Sequence, residues 1–190
     1  MTVRFRVLGT LRIESHGEVT PVPSGRVHTT LAALLLHGDE GLTEDALREL
    51  VSEDGEPLGG ESTVRSYVAR VRGLLRRVDP QLDIERRPQG WVLVAEGATV
   101  DRDEFERLLA RARQASGAGD PATAAEAAGS ALALWRGPAY GPAGDLPAFV
   151  PEARRLNDER WAALEVRAAA LLELGREDEV TGELLAAVDR

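Results

Sequence analysis

The stretch Ser62-Thr-Val-Arg-Ser-Tyr-Val-Ala-Arg-Val-Arg-Gly-Leu-Leu-Arg-Arg-Val78, followed closely by Leu82-Asp-Ile-Glu-Arg-Arg-Pro-Gln-Gly-Trp-Val-Leu-Val94, decides the fold. Val64, Tyr67, Val68, Val71, Leu74, Leu75 and Val78 recur at the helical period and define one buried stripe. On a wheel of about 100° per residue, Arg65, Arg72 and Arg76 gather along one edge of the stripe, and Arg70 and Arg77 along the other. Opposite it stand Ser66, Ala69 and Gly73, all small. Such a face can approach a groove floor closely while the flanking guanidinium groups reach phosphates or guanine edges. The same pattern also suits an amphipathic helix whose arginines only solvate it. Next come two strand-like pieces, Leu82 to Arg86 and Trp91 to Val94, joined by the turn Arg87-Pro88-Gln89-Gly90. A basic helix followed by a hairpin with Arg86 and Arg87 at its turn is a winged-helix arrangement, which favours the groove-reading alternative.

Upstream, Val3, Phe5 and Val7 alternate with Arg4 and Arg6, Leu11 and Ile13 with Arg12 and Glu14, and Ser15-His16-Gly17 turns the chain into Glu18 to Val22. This is a short meander with one apolar face. Helical spacing runs from Ser24 to Gly38, and a second helix from Glu44 to Val51 with Thr43 as N-cap and acids in its first turn. Ser52 to Glu61 is polar, glycine-rich and acidic, a loop. Glu96 to Val100 reads as a connection, so residues 1–100 are expected to fold alone.

From residue 101 the pattern is helical. Asp101 with Glu104 resembles a capping box for a helix to about Ser116, Gly119-Asp120-Pro121 starts another to Arg136, and a long helix follows from about Pro151 to Leu174. A fourth begins near Glu177. The run from Gly119 is echoed from Gly175, an internal repeat of two helical hairpins that reads as part of a longer array.

Composition removes most chemistry. There is no cysteine, so disulfides, thiolate zinc sites and cysteine nucleophiles are excluded, and no lysine, so a Walker A loop and a Schiff base are excluded. His16, His28 and His37 have no ligand spacing and read as surface or boundary residues; no metal, no cofactor and no catalytic residue is expected. Neither a signal peptide nor a membrane span is read, which suits a cytoplasmic protein. The net charge of −9 argues against coating nucleic acid by bulk charge, yet Ser62 to Arg77 holds five arginines and no acid.

The order of these pieces, with Tyr67-Val-Ala-Arg-Val-Arg the most specific and Trp135-Arg-Gly-Pro in the second half, resembles the Streptomyces antibiotic regulatory protein (SARP) family of transcription activators. The resemblance implies an α+β, OmpR-type winged helix over residues 1–97 and an all-α, tetratricopeptide-like bacterial transcriptional activation domain, here partial, over 98–190. It implies that Arg65, Ser66, Ala69, Arg70, Arg72, Arg76 and Arg77, with Arg86 and Arg87 of the wing, face double-stranded DNA, typically promoter direct repeats occupied by side-by-side protomers of a DNA-dependent homodimer. Regulated genes would belong to an antibiotic or other secondary-metabolite cluster. It also implies that Glu53, Asp54, Glu56 and Glu61 of the acidic loop meet RNA polymerase or a sigma factor; an ordinary solvated loop is the equal alternative. Where that family has a Lys-Gln-Arg-like run, this chain has Arg26-Val-His-Thr, which together with the net charge keeps open a second reading: a protein-interaction adaptor whose winged helix has lost useful DNA affinity.

Overall fold

Phe5 and Ile13 face each other across two antiparallel strands, β1 (Arg4–Arg6) and β2 (Arg12–Ser15), and β3 (Glu18–Pro21) continues the meander with Thr20 opposite Ile13. Both apolar residues are buried, and Arg6 pairs with Glu14 on the outer side. The computed structural model describes residues 3–51 and 60–180, with side chains from residue 64 onward in the third helix. The acidic-loop residues Glu53, Asp54 and Glu56, and the Glu61 side chain, lie outside the described residues. So does most of the helix expected from Glu177, of which residues 177–180 are helical.

Three helices follow the meander: α1 (Arg26–His37), α2 (Glu44–Val51) and α3 (Gly60–Val78). Then comes the wing, β4 (Asp83–Arg87) paired with β5 (Gly90–Val94). Trp91 also exchanges both backbone hydrogen bonds with Leu42, at 2.7 and 2.9 Å, which pins the wing to the segment before α2. Gly90 is required at that crossing: its φ is +130°, and a Cβ there would land on the Leu42 carbonyl. The expected winged helix is present in this order.

Several sequence expectations are corrected, among them the loop expected from Ser52 to Glu61, whose last two residues already belong to α3. The connection Glu96 to Val100 contains a strand, β6 (Thr99–Val100), which adds to β1 in parallel and completes a four-stranded sheet ordered β3-β2-β1-β6. A two-residue strand pairing with one nearly a hundred residues earlier leaves no local periodicity to read. His28 stands at the start of α1 as expected but is not a surface residue: it is buried, its Nε2 accepts the Leu11 N–H at 3.4 Å, and burial lowers its pKa. Asp101 does not cap its own helix. Its carboxylate, 2% exposed, accepts the N–H groups of Val7 at 2.6 Å and Leu8 at 3.3 Å, and takes Arg136 Nη2 at 2.8 Å.

Asp101 opens α4 (Asp101–Gly117), which forms an antiparallel hairpin with α5 (Pro121–Leu132); Asp120 caps α5 by accepting the Thr123 N–H at 3.0 Å. α5 stops short of Arg136 because that residue is spent elsewhere: its N–H goes to the Leu8 carbonyl at 2.9 Å and its guanidinium to Asp101. Trp135 meets Phe105 edge-on at 5.4 Å. Tyr140 donates its N–H to the Val7 carbonyl at 2.6 Å, and α6 (Val150–Glu173) packs across α5 and α4. One apolar cluster runs from Phe5, Leu31 and Leu75 to Phe105, Trp135, Phe149 and Leu156, so the sheet and the helical half share a core.

Candidate nucleic-acid interface

α3 turns its stripe inward, with Val64, Val68, Val71, Leu74 and Leu75 buried and Tyr67 and Val78 half-buried, because α1, α2 and β4 supply apolar surface on that side only. Ser66, Ala69 and Arg70 are exposed, and a Cβ added to Gly73 would meet nothing within 4 Å. The small-residue face expected from the sequence is open.

The arginines beside it are organised by two carboxylates that sequence reasoning did not assign to the site. Glu44, at the start of α2, lies 3.6 Å from Arg65 of α3 and 2.6 Å from Arg86 of the wing, so it joins all three elements. Arg86 also stacks 5.0 Å from the centre of the Trp91 ring. Asp83, the first residue of β4, takes Arg72 Nε on Oδ1 at 2.7 Å and Arg76 Nη2 on Oδ2 at 2.6 Å. Arg72 donates in addition to the Ile84 carbonyl. Partial burial pushes the Asp83 carboxyl up, but the Arg76 hydrogen bond, the Ile84 N–H and the charges of Arg72 and Arg76 outweigh it and hold the carboxyl below its ordinary value. It is therefore ionised at neutral pH.

On the opposite edge, Arg70 stands 5.5 Å from the Tyr67 ring centre, and Arg26 of α1 stands 5.8 Å from it while hydrogen-bonding the phenol oxygen at 3.2 Å. Arg77 is exposed one turn beyond Gly73. Arg87 is exposed at the wing turn and pairs with Glu85 at 3.1 Å. The structure thus brings Arg65 and Arg86 together on Glu44 and Arg72 and Arg76 together on Asp83, and keeps Arg70 against Tyr67, Arg77 exposed and Arg87 on Glu85, apart from both clusters. Glu44 read in the sequence as a helix-dipole residue, and nothing local marked its partner 42 positions away. Asp83 lies seven residues after Arg76, beyond helical reach, and the only signal for it was that the hairpin follows the helix closely.

Among the described residues, no group of three or more His, Asp or Glu side chains is placed to hold a metal ion, and no helix is long and apolar enough to cross a membrane.

Residues 100–190 match the family model of the bacterial transcriptional activator domain. The chain is 31% identical over 184 residues to the transcriptional regulatory protein EmbR of Mycobacterium tuberculosis and 29% identical over 188 residues to the transcriptional regulatory protein MoaR1 of the same species. It is 32% identical over 187 residues to the regulatory protein AfsR of Streptomyces coelicolor. These matches cover 95, 96 and 97% of this chain, but 47, 60 and 18% of the respective relatives, so the chain spans about half the length of EmbR. The solved structure of M. tuberculosis EmbR in complex with a low-affinity phosphopeptide superposes with a TM-score of 0.83 at 27% identity, over 97% of this chain and 49% of that one. All three named relatives are regulatory proteins. With a wing behind a basic helix, a helical half in which α4, α5 and α6 are described and which the Asp101–Arg136 contact ties to the sheet, and these relatives over nearly its whole length, the chain resembles the regulators of the Streptomyces antibiotic regulatory protein family and shares their architecture: an OmpR-type winged helix followed by a tetratricopeptide-like bacterial transcriptional activator domain.

Proposed function

We propose that this chain is a sequence-specific DNA-binding transcriptional activator that reads double-stranded DNA with α3 and its wing. The observation that carries the reading is the open outer face of α3, where Ser66, Ala69 and Gly73 leave room for a groove floor between two rows of arginine. Arg65 and Arg76 on one row and Arg70 and Arg77 on the other are the groove contacts, and Arg86 and Arg87 reach the backbone or minor groove. The rest of the proposal rests on resemblance to the family: residues 1–97 as the reader, 98–190 as the activation half, promoter direct repeats bound by side-by-side copies, a secondary-metabolite cluster as target, RNA polymerase and its sigma factor as partners through the segment Ser52 to Glu61, and the cytoplasm as the place of work.

The test is a mobility shift of the whole chain with the DNA upstream of its own gene, at two salt concentrations, beside the triple variant Arg65→Ala, Arg70→Ala, Arg76→Ala. Binding by the parent that tightens as salt falls and collapses in the variant is expected. One observation favours the adaptor reading, namely that Glu44 and Asp83 already occupy four of the arginines. That reading wins if the parent shifts no fragment at low salt.

A further inference from the structure

The two arginines that Asp83 holds are not equivalent. Arg72 spends two guanidinium nitrogens on the wing: Nε on the Asp83 carboxylate and Nη2 on the Ile84 backbone carbonyl. Its side chain is only 32% exposed. Arg76 makes one contact, through Nη2 to Asp83 Oδ2, and is 56% exposed, so its remaining N–H donors face outward. Asp83 itself is locked from the wing side by the Ile84 N–H at 2.8 Å. A planar guanidinium engaged at two points has a fixed orientation, whereas one engaged at a single point can pivot onto a phosphate or a base edge without leaving its anchor.

We propose that Asp83 is a positioning residue for DNA reading: it fixes Arg72 as the brace between α3 and the wing and aims Arg76, the arginine that makes the contact. This rests on the DNA-binding reading above and goes beyond it, because it gives Arg72 a role as a brace and adds an acid to the reading machinery. The carboxylate has two opposed effects on binding. It repels phosphate, which weakens attachment to any sequence, and it sets the angle between helix and wing, which a specific site requires. Removing it therefore raises general affinity while lowering discrimination.

The experiment uses the full chain and two probes: a duplex that the parent selects from a pool with a randomised centre, and a scrambled duplex of the same composition. For Asp83→Asn, which keeps the size and one acceptor, the ratio of selected to scrambled affinity falls about tenfold or more while affinity for the scrambled duplex rises and its salt dependence steepens. Arg72→Lys, which keeps the charge but loses the two-point fork, lowers the ratio in the same way. Arg76→Ala weakens the selected duplex in the parent background and has little further effect on it in the Asp83→Asn background, since the aim is already lost. Thermal melts accompany each variant. A ratio unchanged in Asp83→Asn and Arg72→Lys, whatever their melting temperatures, overturns the proposal and leaves the DNA-binding reading standing. A parent that selects no duplex from the pool overturns both. If Asp83→Asn does not fold, Arg72→Lys and Arg76→Ala still decide: loss of discrimination in the first and of affinity in the second supports the assignment, and the reverse pattern refutes it.

Discussion

Asp101→Ala tests whether the two halves are held by a buried bracket. The substitution strips an acceptor from the Val7 N–H at 2.6 Å and from the Leu8 N–H at 3.3 Å, and it leaves Arg136 without its partner at 2.8 Å. A buried donor left unsatisfied costs about 1–3 kcal/mol, and breaking a buried pair by removing one side about 3–5 kcal/mol. These losses overlap, and the Arg136 side chain keeps 21% exposure with its other contact to Thr10, so about 3 kcal/mol is the expected total. For a chain of this length that lowers the melting temperature by about 6–12 °C. Hydrogen exchange at Val7 and Leu8 should accelerate in the same variant, which a loss confined to the helical half would not produce. The pH dependence gives a second readout. Burial is the larger influence on Asp101 and raises its pKa, although Val7, Arg136 and Leu8 pull it down. A carboxyl raised on folding binds its proton more tightly in the native state, so its contribution is complete below the unfolded pKa and is lost as pH rises through the folded one. Relative to the non-titrating Asp101→Asn, the parent is therefore most favoured in acid and declines to a plateau as pH rises. A melt within about 2 °C of the parent for Asp101→Ala, with unchanged exchange at Val7, would refute the bracket.

Gly90→Ala puts a Cβ on the Leu42 carbonyl at φ +130°, so it should cost at least about 2 kcal/mol and loosen the wing; a variant that melts with the parent shows that the Leu42 crossing is dispensable. His28 is held below its ordinary pKa of about 6.5 by burial, so its stabilising contribution is present above that value and lost as pH falls through the folded pKa. Melting of His28→Gln across pH 5–7 should be flatter than the parent's, and parallel curves would remove the histidine from the acid response. Residues 1–100 alone lack the surface on which β1, β6 and α1 rest, and should show no cooperative melt near the parent's; circular dichroism of that fragment decides, and a sharp transition at the parent temperature would show two independent cores.

What the sequence disclosed follows the reach of each signal. The stripe of α3 was legible because helical periodicity is sustained from Val64 to Val78, and the wing because Arg87-Pro88-Gln89-Gly90 is strong turn chemistry. The motif Trp135-Arg-Gly-Pro stood out, but its meaning is tertiary: Trp135 packs on Phe105, Arg136 reaches back to Leu8 and Asp101, and Gly137 passes close to Gly9, whose φ of +138° admits the approach. Asp101 looked like a cap because caps and buried acceptors share the same residue types, and only the distance of the β1 backbone separates them. The arginines of the site were found by counting charge within a window, and their carboxylate partners were missed because Glu44 comes before the window and Asp83 after it.

A chain of net charge −9 is an awkward DNA reader only if charge acts at long range. At physiological salt the screening length is about 8 Å, so the acids of the helical half act mainly on their own neighbours and only weakly on a duplex at α3. Arg155, for example, is shared by Glu106, Glu152 and Glu159, an α4–α6 tie. On the face of α3 and the wing the balance is different, since Glu44 and Asp83 each face two arginines, four guanidinium groups against two carboxylates. The acidic remainder then works against loose attachment, where phosphate attraction is the whole of the affinity, more than against a seated complex, where base contacts add to it. Partial neutralisation of the arginines by resident carboxylates acts in the same direction, because a duplex that cannot fill the reading geometry gains little by displacing them. If α3 reads DNA as proposed, weak and selective binding would share one physical origin: four of its arginines already face Glu44 or Asp83, and only a well-fitted site offers them a better partner.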